Sequence, residues 1–157
     1  MINLENYDQE LIESCKHISK YEFVGFDAEY RHSYEEGKNI PSYMQVSLAD
    51  RCYVYNLQKL LFDIRTLPYV LMPITRAGLL KVGHSCSDDV QNIISYINRT
   101  FNLTPQPAAS ACIDLERVLF NCDKLNKPSL SDICFRFFGK HMRKKLQSVS
   151  TGGKPVV

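Results

Sequence analysis

At 157 residues, 45% of them hydrophobic and 23% charged, the chain is long enough to bury the core of one domain and short for two. No run approaches the roughly eighteen uninterrupted apolar residues of a membrane span, and Met1 to Asn6 shows no basic start before an apolar run, so neither a membrane anchor nor a secretory signal is expected. The net charge of +2 hides an asymmetry: the segment from Lys124 to the end carries +7 and residues 1–123 carry −5, which suits a body that holds cations and an end that attracts a polyanion, and equally suits a solvated basic tail.

The six cysteines (Cys15, Cys52, Cys86, Cys112, Cys122, Cys134) form no Cys-x-x-Cys and have no His at zinc-ligand spacing. They read as free thiols of a reducing intracellular compartment, cytoplasm or nucleus, several of them acting as small hydrophobes on apolar faces.

In chain order, Leu11, Ile12, Cys15 and Ile18 mark one face of a helix with Asp8 as its cap. Phe23 to Tyr30 is an apolar strand that ends in Asp27 and Glu29. Arg31 to Pro41 is polar and carries Gly and Pro, which predicts a loop. Ser42 to Leu48 alternates with Met44, Val46 and Leu48 on one face and Tyr43, Gln45 and Ser47 on the other. Ala49-Asp50-Arg51 turns the chain into a third strand, Cys52 to Tyr55, giving a hairpin. Helical pieces broken by Pro68 and Pro73 are expected over 58–77, then a fourth strand, Leu79 to Gly83. From Ser87, the expected N-cap, the residues Val90, Ile93, Ile94, Ile97 and Phe101 line a helix of three to four turns. A loop follows over 102–110, with a short strand at Ala111 to Asp114 running into a helix from Leu115 to Phe120. Ser129 and Asp132 start a last helix that Gly139 ends. This order predicts an α/β chain with a mixed sheet flanked by helices.

The chemistry concentrates at two places. Asp27 and Glu29 stand at i and i+2 on a strand, which puts both carboxylates on one face. Sixty-two residues after Asp27, the turn Gly83-His84-Ser85 delivers Asp89 to a helix start. Two ions about 4 Å apart cleave a phosphodiester by holding the attacking water and the leaving oxygen together, and Mg²⁺ takes hard oxygen ligands. In such a clamp Asp27 bridges both ions, Glu29 completes one shell and Asp89 reaches the other. Taken alone, Asp88 and Asp89 are explained as well by the helix dipole, and Asp88 keeps that explanation.

The motifs Val24-Gly25-Phe26-Asp27-Ala28-Glu29, Met44-Gln45-Val46-Ser47-Leu48 and Lys81-Val82-Gly83-His84 with Asp89 resemble, in this order, the first two motifs of the DEDD 3′-5′ exonucleases. Ribonuclease D, the Werner-helicase exonuclease domain and the nematode mutator-type exonucleases look nearest. The resemblance runs over about 21–150, through Asp114 and Pro128-Ser129-Leu130-Ser131 to Gly139-Lys140. It implies a ribonuclease-H-like fold, antiparallel in strands one to three and parallel afterwards. It also implies that Asp27, Glu29 and Asp89 bind two divalent ions, Mg²⁺ or Mn²⁺, and that nucleotides leave the 3′ end of single-stranded RNA or DNA. His84, Gln45, Lys140, Arg143, Lys144 and Lys145 are candidate nucleic-acid contacts. A turn-shaping histidine, a solvated strand face and a solvated tail account for the same residues.

The family continues past such a helix with a tryptophan and a Tyr-x3-Asp motif that supplies a general base and a fourth carboxylate. No tryptophan occurs in this sequence, and no Tyr or Asp follows Asp132. The expected organisation is therefore a partial, C-terminally truncated exonuclease-like domain over 1–150 and a divergent tail over 151–157. The alternative is a non-catalytic nucleic-acid-binding or interaction module on the same fold.

Overall fold

The computed structural model describes residues 7–33, 37–120 and 128–142. Arg143, Lys144, Lys145 and the 151–157 tail lie outside them. The chain opens with helix α1 (Tyr7–Ile18) and then builds three antiparallel strands, β1 (Phe23–Ser33), β2 (Lys38–Ser47) and β3 (Cys52–Asn56). Helix α2 (Leu57–Leu60), a 3-10 turn (Ile64–Thr66) and helix α3 (Leu67–Thr75) carry it to β4 (Leu80–Gly83). Helix α4 (Cys86–Phe101), β5 (Cys112–Asp114), α5 (Leu115–Phe120) and α6 (Leu130–Phe138) follow. The sheet order is β3-β2-β1-β4-β5, with β4 parallel to β1 and β5 parallel to β4, which is the mixed architecture expected.

The period of two sorts the sheet into unlike faces. Val24, Phe26, Ala28, Met44, Val46 and Tyr55 are buried against Leu11 and Ile18 of α1, Val70 and Ile74 of α3, and Ile93, Ile94 and Ile97 of α4. Between them Gly25, Asp27, Glu29, Tyr43, Gln45 and Val54 keep part of their surface exposed. Two polar ties fix the helices to the buried side. The Tyr55 hydroxyl donates to Ser14 Oγ (2.8 Å), which donates to the Leu11 carbonyl (2.8 Å). Lys81, fully buried, donates its Nζ to the Ile74 carbonyl at the C-terminal end of α3 (3.0 Å) and to Ser110 Oγ; burial pushes its pKa down, and the end of a helix is where a cation is welcome.

Four expectations need correction. The loop predicted over 31–41 is largely paired strand: β1 and β2 pair out to Ser33 and Lys38, and Gly37, at a left-handed φ of 60°, leads into β2. Its polar residues mislead because Arg31, His32, Lys38 and Asn39 are exposed strand positions, and Pro41 is tolerated because the register slips after Glu29, leaving Ser42 as the extra residue of a bulge. Ser87 is not the N-cap of α4. Ser85 is, at φ 56°, while Ser87 sits in the first turn and gives its backbone N–H and hydroxyl to Asp114 (3.0 and 2.9 Å). Asp8 likewise lies inside the first turn of α1.

Nor do the prolines break the chain over 67–75: Pro68 sits in the first turn of α3, where its missing N–H is not needed, and Pro73 lies inside the same helix. The last helix stands where the pattern put it, and α6 carries a full Ser129/Asp132 capping box with Gly139 left-handed at its end. Cys15, Cys52, Cys86, Cys112 and Cys134 are free thiols. Among the described residues no helix is long and apolar enough to cross a membrane.

Gly83 is needed for closeness, not for a turn. A Cβ there would lie 2.2 Å from the Phe26 carbonyl oxygen and 3.1 Å from Cys86 Cβ, so β4 reaches β1 only without a side chain. Gly83→Ala is expected to cost about 1–3 kcal/mol in urea unfolding, the range for overpacking a tight site.

Candidate active site

β1 and β2 place three of the expected residues, Asp27, Glu29 and Gln45, together with Tyr43. Asp27 pairs with Gln45 and Glu29 with Tyr43 across the ladder, so the two carboxylates and the two β2 side chains share the part-exposed face. Asp89 comes from the first turn of α4, whose acidic start suits the helix dipole. That turn is anchored from β5 and α5. Glu116, fully buried, accepts the Ser85 backbone N–H (3.2 Å) and hydroxyl (3.1 Å), and the nearly buried Asp114 accepts from Ser87.

The electrostatics tie Asp89 to Asp27. Burial raises the carboxyl pKa of half-buried Asp27, against the smaller opposing effects of the Ala28 backbone amide and of His84. Asp89 is pushed up to about 6, first by burial and further by the charge of Asp27, although a hydrogen bond from Tyr30 favours its ionised form. Both carboxyls resist ionising, Asp27 through burial and Asp89 through burial and the charge of Asp27, which is the condition that a bound cation relieves.

Tyr30 is the functional residue that pattern reading missed. Its hydroxyl donates to Asp89 Oδ1 (2.8 Å) and lies 3.4 Å from the Asn92 side-chain nitrogen, one turn further along α4. Burial, before any charge effect, raises its pKa above the ordinary tyrosine range. A signal was present: the period of two sends Tyr30 to the opposite face from Glu29, the side on which α4 packs.

Of the remaining candidates, His84 places Nε2 2.9 Å from the Pro128 carbonyl oxygen, which joins the β4–α4 turn to the start of α6 and agrees with the turn-shaping alternative. Lys140 is exposed beyond the end of α6, and Asp88 is exposed in the first turn of α4.

The fit to a metal is one of chemistry more than of assembled geometry. Among the described residues no group of three or more His, Cys, Asp or Glu side chains is gathered as a ligand set. What is brought together is Asp27 and Asp89 within each other's field, with Glu29 on Asp27's face. No Lys or Arg forms an ion pair with Asp27 or Asp89 among the described residues. Carboxylate oxygens of this kind fit Mg²⁺ or Mn²⁺ and not a soft thiolate-seeking ion.

A family model described as 3′-5′ exonuclease matches residues 5–156. Direct sequence comparison with curated proteins finds no match. Among solved structures, the Nibbler EXO domain of Aedes aegypti is similar at a TM-score of 0.70 and 15% identity, over 95% of this chain and 73% of that one. RNase D of Escherichia coli, described as an exoribonuclease involved in structured RNA processing, is similar at 0.63 and 15% identity, over 89% of this chain and 34% of its own. The EXD2 exonuclease domain soaked in Mg and GMP gives 0.55 and 21% identity, over 99% and 76%. At these identities the likeness is one of fold, and the chain spans about a third of RNase D.

The raised carboxyl of Asp89 has a consequence for stability with a definite sign. A folded pKa above the unfolded 3.8 means the metal-free fold binds the proton more tightly, so this contribution weakens the fold as pH rises from about 4 to about 6. In calorimetry without metal, Asp89→Asn is expected to raise Tm at pH 7 and to flatten the pH dependence between 4 and 6. Added Mn²⁺ should raise the Tm of the unmodified chain more than that of the variant.

Proposed function

The chain belongs to the 3′-5′ exonuclease family, and from that premise we propose that it removes nucleotides from the 3′ end of single-stranded RNA or DNA, with two divalent ions held by Asp27, Glu29 and Asp89. The observation that carries this reading is the placement of Asp89, across sixty-two residues of sequence, in the electrostatic field of Asp27 in the middle of the central strand. The EXD2 exonuclease domain, similar in fold, was soaked with Mg and GMP and with Mn and GMP, which supports a divalent ion as the cofactor.

When bound, such ions polarise the phosphate and acidify a water molecule. The chain's own residues do the rest. Asp27 and Glu29 present oxygens from a rigid strand, and Tyr30 donates to one oxygen of Asp89, which also takes a backbone hydrogen bond from Ala28. Gln45 and Tyr43 flank the carboxylates on the same face and are placed to border a strand lying across it. The Nε2 of His84 is engaged with the Pro128 carbonyl, so we assign that ring to structure and not to proton transfer. A site working without a positioned base is slower by about 10²- to 10⁴-fold.

A second reading, a binding module without catalysis, is favoured by the absence of a gathered ligand set among the described residues. Cleavage of a 5′-labelled oligonucleotide separates the two. Shortening that needs Mn²⁺ or Mg²⁺, is abolished by EDTA, and falls about 10²-fold or more in Asp27→Asn supports the nuclease. Activity that survives Asp27→Ala combined with Glu29→Ala overturns it, and strand binding with no cleavage under any metal selects the binding module.

A further inference from the structure

A cleft of about 350 Å³ opens between the outer part of the β1–β2 hairpin and α4, lined by Tyr30, Asn39, Pro41, Asn92, Ser95 and Arg99. Its two walls are regular. On the hairpin, Tyr30 pairs with Pro41 and His32 with Asn39, two steps apart, so Tyr30, Pro41 and Asn39 share one face. On α4, Asn92, Ser95 and Arg99 stand at i, i+3 and i+7, a single exposed stripe beside the buried Ile93, Ile94 and Ile97. His32 Nδ1 lies 3.3 Å from Asn39 Oδ1, which leaves the nitrogen of that amide to be offered elsewhere.

The cleft and the carboxylates share one side chain. Tyr30 lines the cleft, and its hydroxyl touches both Asp89 and Asn92, so a ligand in the cleft sits one residue away from the site of cleavage. The lining has a definite chemistry. Among the described residues Arg99 is its one charged side chain, and a guanidinium fork matches a phosphate. Asn39, Asn92 and Ser95 supply neutral donors and acceptors for a sugar or a base edge, and Tyr30 with Pro41 supplies an apolar floor. A volume near the lower end of the range for ligand pockets, about 300–1,000 Å³, takes one nucleotide and excludes a base pair.

We propose that this cleft is the subsite for the nucleotide adjoining the scissile one in a single strand, with Arg99 on its phosphate. The assignment rests on the reading of Asp27, Glu29 and Asp89 as the cleavage site, and it names a determinant of single-strand binding outside them. Plain attraction to positive charge predicts a different location. A more basic depression, lined by Glu13, Lys16, His17, Lys20, Arg51 and Tyr53, lies between α1 and the β2–β3 turn, at the end of β1 away from the carboxylates, and it serves as the internal control.

The test is anisotropy titration of a 5′-fluorescein-labelled single-stranded oligonucleotide with the full chain in EDTA, at several salt concentrations. Arg99→Gln should weaken binding about tenfold, the worth of one charge-assisted contact. It should also reduce the slope of log affinity against log salt by about 0.7, one phosphate's share on a single strand. Ser95→Glu, which puts a carboxylate into the cleft, should weaken binding at least as much, while Lys20→Gln should weaken it less. Circular dichroism checks that each variant is folded. Affinity and slope equal to the unmodified chain in both cleft variants overturn the proposal, as does an equal loss in Lys20→Gln. In Mn²⁺, the ratio of kcat/KM for the oligonucleotide to that for a p-nitrophenyl ester of a single nucleotide should fall about tenfold in Arg99→Gln, matching the binding loss. A chain that binds through Arg99 yet leaves both substrates intact supports the cleft and overturns the cleavage reading alone.

Discussion

The position of Asp89 depends on how the first turn of α4 is held, and that turn is held by two buried carboxylates. Glu116 takes the amide and hydroxyl of Ser85, and Asp114 takes those of Ser87, at the helix end where the dipole favours negative charge. Hydrogen bonds to charged acceptors are worth about 1.5–3 kcal/mol each, and a buried carboxylate left without them is costly. The arrangement therefore has few alternatives: β5 must lie against β4, α5 must start at Leu115, and α4 must begin where it does. Arg117, 3.4 Å from Asp114, adds a partly exposed counter-charge of small weight.

The same end of the molecule shows why Gly83 and His84 adjoin in sequence. Gly83 lets β4 close on the Phe26 carbonyl, one residue before Asp27, and His84 then reaches the Pro128 carbonyl ahead of α6. One short segment thus sets the spacing between β1, α4 and α6. On the far side of the sheet, Lys81 and Tyr55 bind α3 and α1 to the strands through polar contacts inside an otherwise apolar layer. Both donate to neutral partners, Lys81 through two hydrogen bonds and Tyr55 through one, which lets a buried polar group specify a packing at less cost.

What was legible in the sequence is what depends on local periodicity. The alternation of Met44 and Val46, the shared face of Asp27 and Glu29, the apolar stripe of α4 and the Ser129/Asp132 cap all follow from geometry within a few residues. The mixed sheet, antiparallel in strands one to three and parallel afterwards, came from the order of elements and from resemblance to a family; the strand order is read from the structure alone. The outer hairpin was not legible, because its exposed polar residues have the composition of a loop and only pairing with a distant partner makes them a strand. Nor were Glu116 and Asp114 as the anchors of α4, since they meet Ser85 and Ser87 across about thirty residues of intervening chain. The role of Lys81 depends on α3 lying over it, and that of Tyr30 on α4 packing against the strand face opposite the two acids, so neither is encoded by its neighbours in sequence.

The bulge at Ser42 divides β2 into two reading frames. Inside it, odd-numbered residues face the carboxylates, as Tyr43 opposite Glu29 and Gln45 opposite Asp27 show; beyond it the count is reset, and Pro41 and Asn39 turn toward α4 with Tyr30. The inner frame is pinned by burial of Met44 and Val46, so it cannot slip. The outer frame is held by its own buried side chains, Ile40 and Pro41, and gain or loss of a single residue at the bulge would exchange the wall presented to α4 without moving either acid. Relatives that differ in length at this one position would keep the same carboxylate geometry while offering a different surface beside it.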